Sequence, residues 1–246
     1  MTTINDYDYI LINTEFNDNS NNIIYENVVL YDSRLLEYQE ELLFCLTENT
    51  LIVNFDFYND TYDIIQNKLL EVSKINNISL KNISLFQHNE DEINYYFINN
   101  TEHILEDVLI QDPSLNSWDS FKSFYLFLND ELGIINFDML QCKIYSNNDW
   151  NTVFNYLEIN HFNTNIRSSD DNTGHVMFDG DWVLESSTPN TELIDLYFNE
   201  RITDIDIILG VDTANKTNVF ISKDQLSLYI AGTSYNDAFT GFTTKK

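Results

Sequence analysis

Two hydrophobic periods alternate along the first 170 residues. Short apolar runs of strand length occur at 7–12, 28–31, 50–58, 82–88, 133–142 and 163–169. Between them lie segments whose apolar positions recur every three or four residues. In 34–46, for example, Leu35, Tyr38, Leu42 and Leu46 line one side of a helix. The same spacing predicts helices over 62–75, capped by Asp60 or Thr61, and over 117–132 and 149–160. A hairpin element at 93–99 and a short helix at 101–109 complete the central stretch. Repeated strand–helix alternation is the pattern of a mostly parallel, doubly wound sheet with helices on its faces.

Beyond residue 170 the pattern changes. The segment 170–186 holds two of the six glycines and predicts two short strands and a turn. A helix is expected over 191–202, a strand-rich stretch over 217–232, and a polar tail after it. The expected organisation is an N-terminal arm at 1–26, an α/β domain at 27–200 and a β-rich extension at 201–246.

Charge narrows the partners. The 246-residue chain has 40 acidic residues against 12 Lys and Arg, a net charge of −28, while hydrophobic residues make up 43%. That apolar content is enough for a packed core, so the chain is not of the disordered class. An acidic surface of this strength repels phosphate backbones and anionic lipid heads, which excludes nucleic acid and points to protein partners and cations. No apolar run reaches the roughly 18 residues of a membrane span, and no signal peptide is visible in the first residues, so a soluble product is expected. With only 6 Gly and 2 Pro, the abundant Asn residues are expected to take over turn duty.

In open α/β sheets, functional groups gather at the carboxyl ends of strands. The third strand of the core runs into His88, the fourth into Cys142, 54 positions further on. Caspase-type cysteine peptidases place their histidine about 50 residues before the cysteine. There imidazole takes the thiol proton, and backbone amides stabilise the oxyanion. The other thiol, Cys45, stands among Leu42, Leu43 and Leu46 and is expected to be a small buried hydrophobe. His103 and His161 fall on predicted helix surfaces, and His175 in a turn. Asp170, Asp171, Asp179 and Asp181 are oxygen donors of the kind calcium accepts, but without EF-hand spacing a solvated turn is the plainer expectation. Trp182 beside them is expected to anchor the core.

Four stretches carry a family resemblance: "NVVLYDSRLLEYQEELL" (27–43), the strand ends "LFQHNE" and "MLQCKI", and "NIRSSDDNTGHVMFDGDWVLES" (165–186). Together they resemble an uncharacterised domain family found at the head of large cyanobacterial and marine bacterial adhesin-type surface proteins, over roughly residues 27–186. The resemblance implies a caspase-like three-layer sandwich, with His88 and Cys142 as a dyad and the backbone amides of Asn89 and Cys142 as the oxyanion site. Asn89 and Gln141 stand where that family has glycines, and Glu90, Asp91 and Glu92 oppose a nearby thiolate, with Lys143 the one adjacent base. The expected function is therefore a non-catalytic structural or interaction module of a surface or virion-type assembly, such as that of a phage, without a cofactor. The alternative is a caspase-like cysteine peptidase that processes itself or a neighbour.

Overall fold

The computed structural model describes residues 2–3, 9–12, 23–88, 112, 119–160, 163–209, 219–222 and 227–230. The chain divides into two units, Met1–Gly210 and Val211–Lys246. In the second unit, strands β12 (Val219–Ser222) and β13 (Ser227–Ile230) pair as an antiparallel hairpin. The predicted hairpin element at 93–99, the predicted helix at 101–109 and the residues Asn89, His103 and His161 lie outside the described residues.

The first unit is built on a seven-stranded, mostly parallel sheet in the order β1-β2-β4-β3-β5-β6-β7. The strands are β1 (Thr2–Thr3), β2 (Ile10–Ile12), β3 (Tyr25–Asp32), β4 (Thr50–Phe55), β5 (Ile78–Phe86), β6 (Asn136–Met139) and β7 (Asn165–Ser168). From β4 to β7 every neighbouring pair is parallel, while β2 joins β4, and β1 joins β2, antiparallel. The central β3 reads Val28-Val29-Leu30-Tyr31 with no exposed side chain, the continuous apolar run required of a strand covered on both faces. The six-residue β4 and nine-residue β5 follow the predicted runs, whereas β6 stops at Met139, three residues before the cysteine.

Helices α1 (Gln39–Cys45), α2 (Tyr62–Ser73), α3 (Asp119–Asp130) and α4 (Asn148–Asn160) fall on the predicted periodic segments. Thr61 caps α2 by accepting the Ile64 N–H at 3.4 Å. Asn147 caps α4 by accepting the N–H groups of Asp149 and Trp150 at 2.9 and 3.1 Å. One face of the sheet, with Val28, Leu30, Leu51, Val53, Ile83, Leu85, Phe137 and Met139, packs on the apolar sides of α2, α3 and α4. No helix among the described residues is long and apolar enough to cross a membrane.

The opposite face is covered by α1 and by a mostly irregular segment from 172 to 209. This segment carries the short strands β8 (Asn172–Thr173), β9 (Gly180–Asp181), β10 (Val183–Leu184) and β11 (Thr191–Glu192). The helix expected over 191–202 is absent. Asp195 adopts a left-handed φ of 68°, and the stretch turns on itself through Tyr197 and Phe198 N–H bonds to the Leu193 carbonyl at 3.0 and 3.1 Å. The physical reason is tertiary. Leu193, Tyr197, Phe198 and Ile202 all reach the sheet from this folded-back path and are buried there.

Candidate functional site

The site grows from the parallel register. β5 and β6 are neighbours, with Leu85 opposite Met139, so the residues that follow them leave the sheet at the same edge. His88 comes two residues after β5, Cys142 three after β6. Sheet order adds a second reason to look here. From β3 the chain passes first to β4 on one side and then to β5 on the other, so the order reverses at β3. Such a reversal opens a crevice outside the carboxyl ends of the strands.

At that reversal stands a charged group the sequence reasoning missed. Asp32, buried at the end of β3, holds Arg34 through contacts of 3.0 and 2.8 Å to Nε and 2.5 Å to the terminal nitrogen. The Arg34 guanidinium lies 3.4 Å over the Phe57 ring and donates to the His88 carbonyl at 3.0 Å. It therefore stitches the ends of β3 and β5 together. A fixed fork of donors suits this task better than a lysine would.

Cys142 sits in the turn after β6 and is 3% exposed. Its sulfur accepts the Thr173 N–H at 3.2 Å. Lys143, at φ 59°, donates its N–H to the Asp171 carbonyl at 2.7 Å, and the Tyr145 N–H reaches the Ser169 carbonyl at 2.8 Å. Burial pushes the thiol up to about 12, although the Thr173 amide, the Lys143 charge and the Leu209 amide all pull the other way. A thiol in that state is protonated at neutral pH and is not a nucleophile. Cys45 donates to the Glu41 carbonyl at 3.4 Å and is pushed up to about 11, again chiefly by burial. Both cysteines are free thiols.

The acidic residues gather differently from the sequence expectation. Carboxylate oxygens of Asp170, Asp171 and Glu185 lie within 4.8 Å of one another, and the Asp170 N–H donates to Glu185 at 2.9 Å. Glu185 was not among the candidates, although it ends the same "GDWVLE" stretch. Asp181 is outside this trio but feels it. Partial burial, then repulsion from Asp171, Glu185 and Glu192, pushes its carboxyl up to about 6. Asp179 ends a 3-10 turn in the left-handed conformation, where its short side chain is tolerated. A hard cation such as calcium would take the trio's oxygens. Trp182 fills the core between Phe86 and Phe198, at ring separations of 6.4 and 5.5 Å.

Two polar rows cross the face above which these groups sit. Asn82 donates to Asn27 at 2.8 Å, Asn136 to Asn82 at 2.7 Å and Asn165 to Asn136 at 3.0 Å, a ladder over four parallel strands. One register step nearer the carboxyl edge, Asp138 of β6 accepts two Arg167 bonds at 2.5 Å each and the Tyr197 hydroxyl at 2.7 Å. Burial pushes Asp138 up while these three bonds pull it down.

Fold and edge together define the class: an α/β protein with a mostly parallel sheet and a buried, protonated thiol at its carboxyl edge. No family model, curated protein or solved structure gives a significant match to the chain.

Proposed function

We infer that the chain is a non-catalytic structural or interaction module, built on a caspase-like scaffold and working inside a surface or virion-type assembly. One observation supports the non-catalytic part of this reading: Cys142 is 3% exposed, and burial pushes its thiol up to about 12, where a peptidase needs a thiolate. The acidic chain, with its net charge of −28, favours partners that present basic patches and disfavours nucleic acid.

The peptidase alternative is favoured by one fact, the common sheet edge of His88 and Cys142 on adjacent parallel strands. A peptidyl electrophile separates the two. The module reading expects no His88-dependent adduct on the folded chain at neutral pH. Rapid labelling of Cys142 that His88→Ala abolishes would overturn it. The assembly part is tested by native sizing of the protein in its source, where a free monomer would sink it.

A further inference from the structure

The surroundings of Cys142 are more polar than a space-filling thiol requires. Gln141 and Thr173 flank it and are 1% and 0% exposed, yet neither Gln141 Oε1 nor Thr173 Oγ1 has a hydrogen-bond partner among the described residues. A buried polar atom without a partner is unfavourable, and two of them stand on residues next to Cys142: Gln141 precedes it in the chain, and Thr173 donates its N–H to the sulfur. The same sulfur receives the Thr173 amide at 3.2 Å, and the Leu209 amide acts on it in the same sense. Backbone donors aimed at a sulfur favour its anion. What keeps it silent is its cover.

One short segment contributes to that cover, its Leu209 amide acting on the sulfur. Ile205, Ile207 and Leu209 are buried in the same apolar cluster as Cys142, as an extended strap across Thr173–His175. The strap is held by the Leu209 N–H to the Thr173 carbonyl at 3.0 Å, and by the His175 N–H to the Ile207 carbonyl at 2.8 Å. An isolated antiparallel bridge joins Ile208 to Gly174, and Asp206 lies 3.6 Å from the His175 ring. Its seat is Gly174, at φ +144°. A Cβ there would stand 2.3 Å from the Ile207 carbonyl oxygen and 2.8 Å from the Ile208 Cα. No other residue type permits this approach without moving the strap. The strap is also the last stretch of the first unit, which ends at Gly210. Short segments held by a few bonds open locally before the sheet ladders do.

We propose that Ile205–Leu209 is a releasable cover, and that Cys142 beneath it is a latent thiol site for soft electrophiles, opened when the strap lifts from Gly174 while the sheet stays folded. This goes beyond the module reading, since access and peptide cleavage are separate properties. The test uses the whole chain and iodoacetamide, with peptide mass spectrometry reading Cys142 and Cys45 separately across sub-denaturing urea. The expected result is Cys142 alkylation at least tenfold faster than Cys45, with a shallower urea dependence than global unfolding. Equal rates at both cysteines, with the urea dependence of global unfolding, would overturn the proposal. Gly174→Val is the second arm. In a variant that keeps its helical circular dichroism, Cys142 labelling should rise at least tenfold with Cys45 unchanged, and an unchanged Cys142 rate counts against the strap. If Gly174→Val does not fold, the wild-type urea series decides alone. Peptide turnover is scored separately: His88-dependent cleavage overturns the module reading and leaves the strap standing, whereas labelling without cleavage supports both.

Discussion

The two faces of the sheet are built on different principles. The face under α2, α3 and α4 is predominantly apolar, and most of its covering residues come from helices with regular spacing. The other face carries an asparagine ladder, a buried carboxylate–guanidinium–phenol group and both cysteines, under α1 and an irregular segment. Apolar packing is non-directional and tolerant of detail, so the first face supplies stability. Polar groups in a low-dielectric interior must each meet a partner, so the second face supplies specificity of arrangement and is where a local error is most costly.

The comparison breaks most heavily at Trp150, wholly buried in α4 and stacked on Phe154 at 5.3 Å. Trp150→Ala should cost about 3–5 kcal/mol in urea denaturation, as a large cavity in a dense core does. A comparable loss, about 3–5 kcal/mol, is expected for Asp138→Leu, which leaves the Arg167 guanidinium without its carboxylate. Here the mechanism differs, and the difference is measurable. The triple change Asp138→Leu, Arg167→Met and Tyr197→Phe should recover most of the loss, because no charge is then stranded. If the triple is as unstable as the single, the ion pair is not what holds this face.

The ladder offers a smaller effect. Asn82→Ala breaks the row between two partners and should cost about 1–3 kcal/mol. Asn165→Ala at its exposed end should cost less than about 0.5 kcal/mol. Equal losses at both positions would mean that the row is not a cooperative unit.

The smallest prediction concerns Asp181. Its carboxyl is raised to about 6 in the folded chain from 3.8, so the folded state holds more proton than the unfolded one between about pH 4 and 6. Stability then falls as pH rises through that window. Asp181→Asn should remove the penalty, raising the melting temperature at pH 7 but not at pH 3.5. Solvent screening of this exposed group keeps the gain below about 1 kcal/mol. A gain of equal size at both pH values would rule out the titration as its cause.

Much of the first face was legible because its signals are local. The 3.6-residue spacing of α2 and α3 and the run Val28-Val29-Leu30-Tyr31 report burial directly, one period per element. The second face left fainter marks. Asparagine stands directly ahead of an apolar strand residue in Asn27-Val28, Asn82-Ile83, Asn136-Phe137 and Asn165-Ile166, a repeated phrase that foreshadows the ladder. The acid in "NFDML" likewise foretells a buried partner for Asp138 without naming it. Register turns these marks into a row, and register depends on which strands adjoin.

Residues 191–202 show the limit most clearly. Leu193, Ile194, Tyr197 and Phe198 are spaced as in a helix, yet the segment folds back at Asp195 because its apolar residues gain more against the sheet than a helix would give them.

By itself, the amino-acid sequence determined the alternation of strands and helices, the acidic surface and the arrival of His88 and Cys142 just past two strand ends, since each follows from local period and composition. Tertiary structure alone decided that those ends are neighbours, that Arg34 ties one of them to β3, and that Ile205–Leu209 pairs with Thr173–His175, whose first amide reaches the Cys142 sulfur. These depend on contacts between residues far apart in the chain, whose free energy is realised only once strand order and register have been chosen.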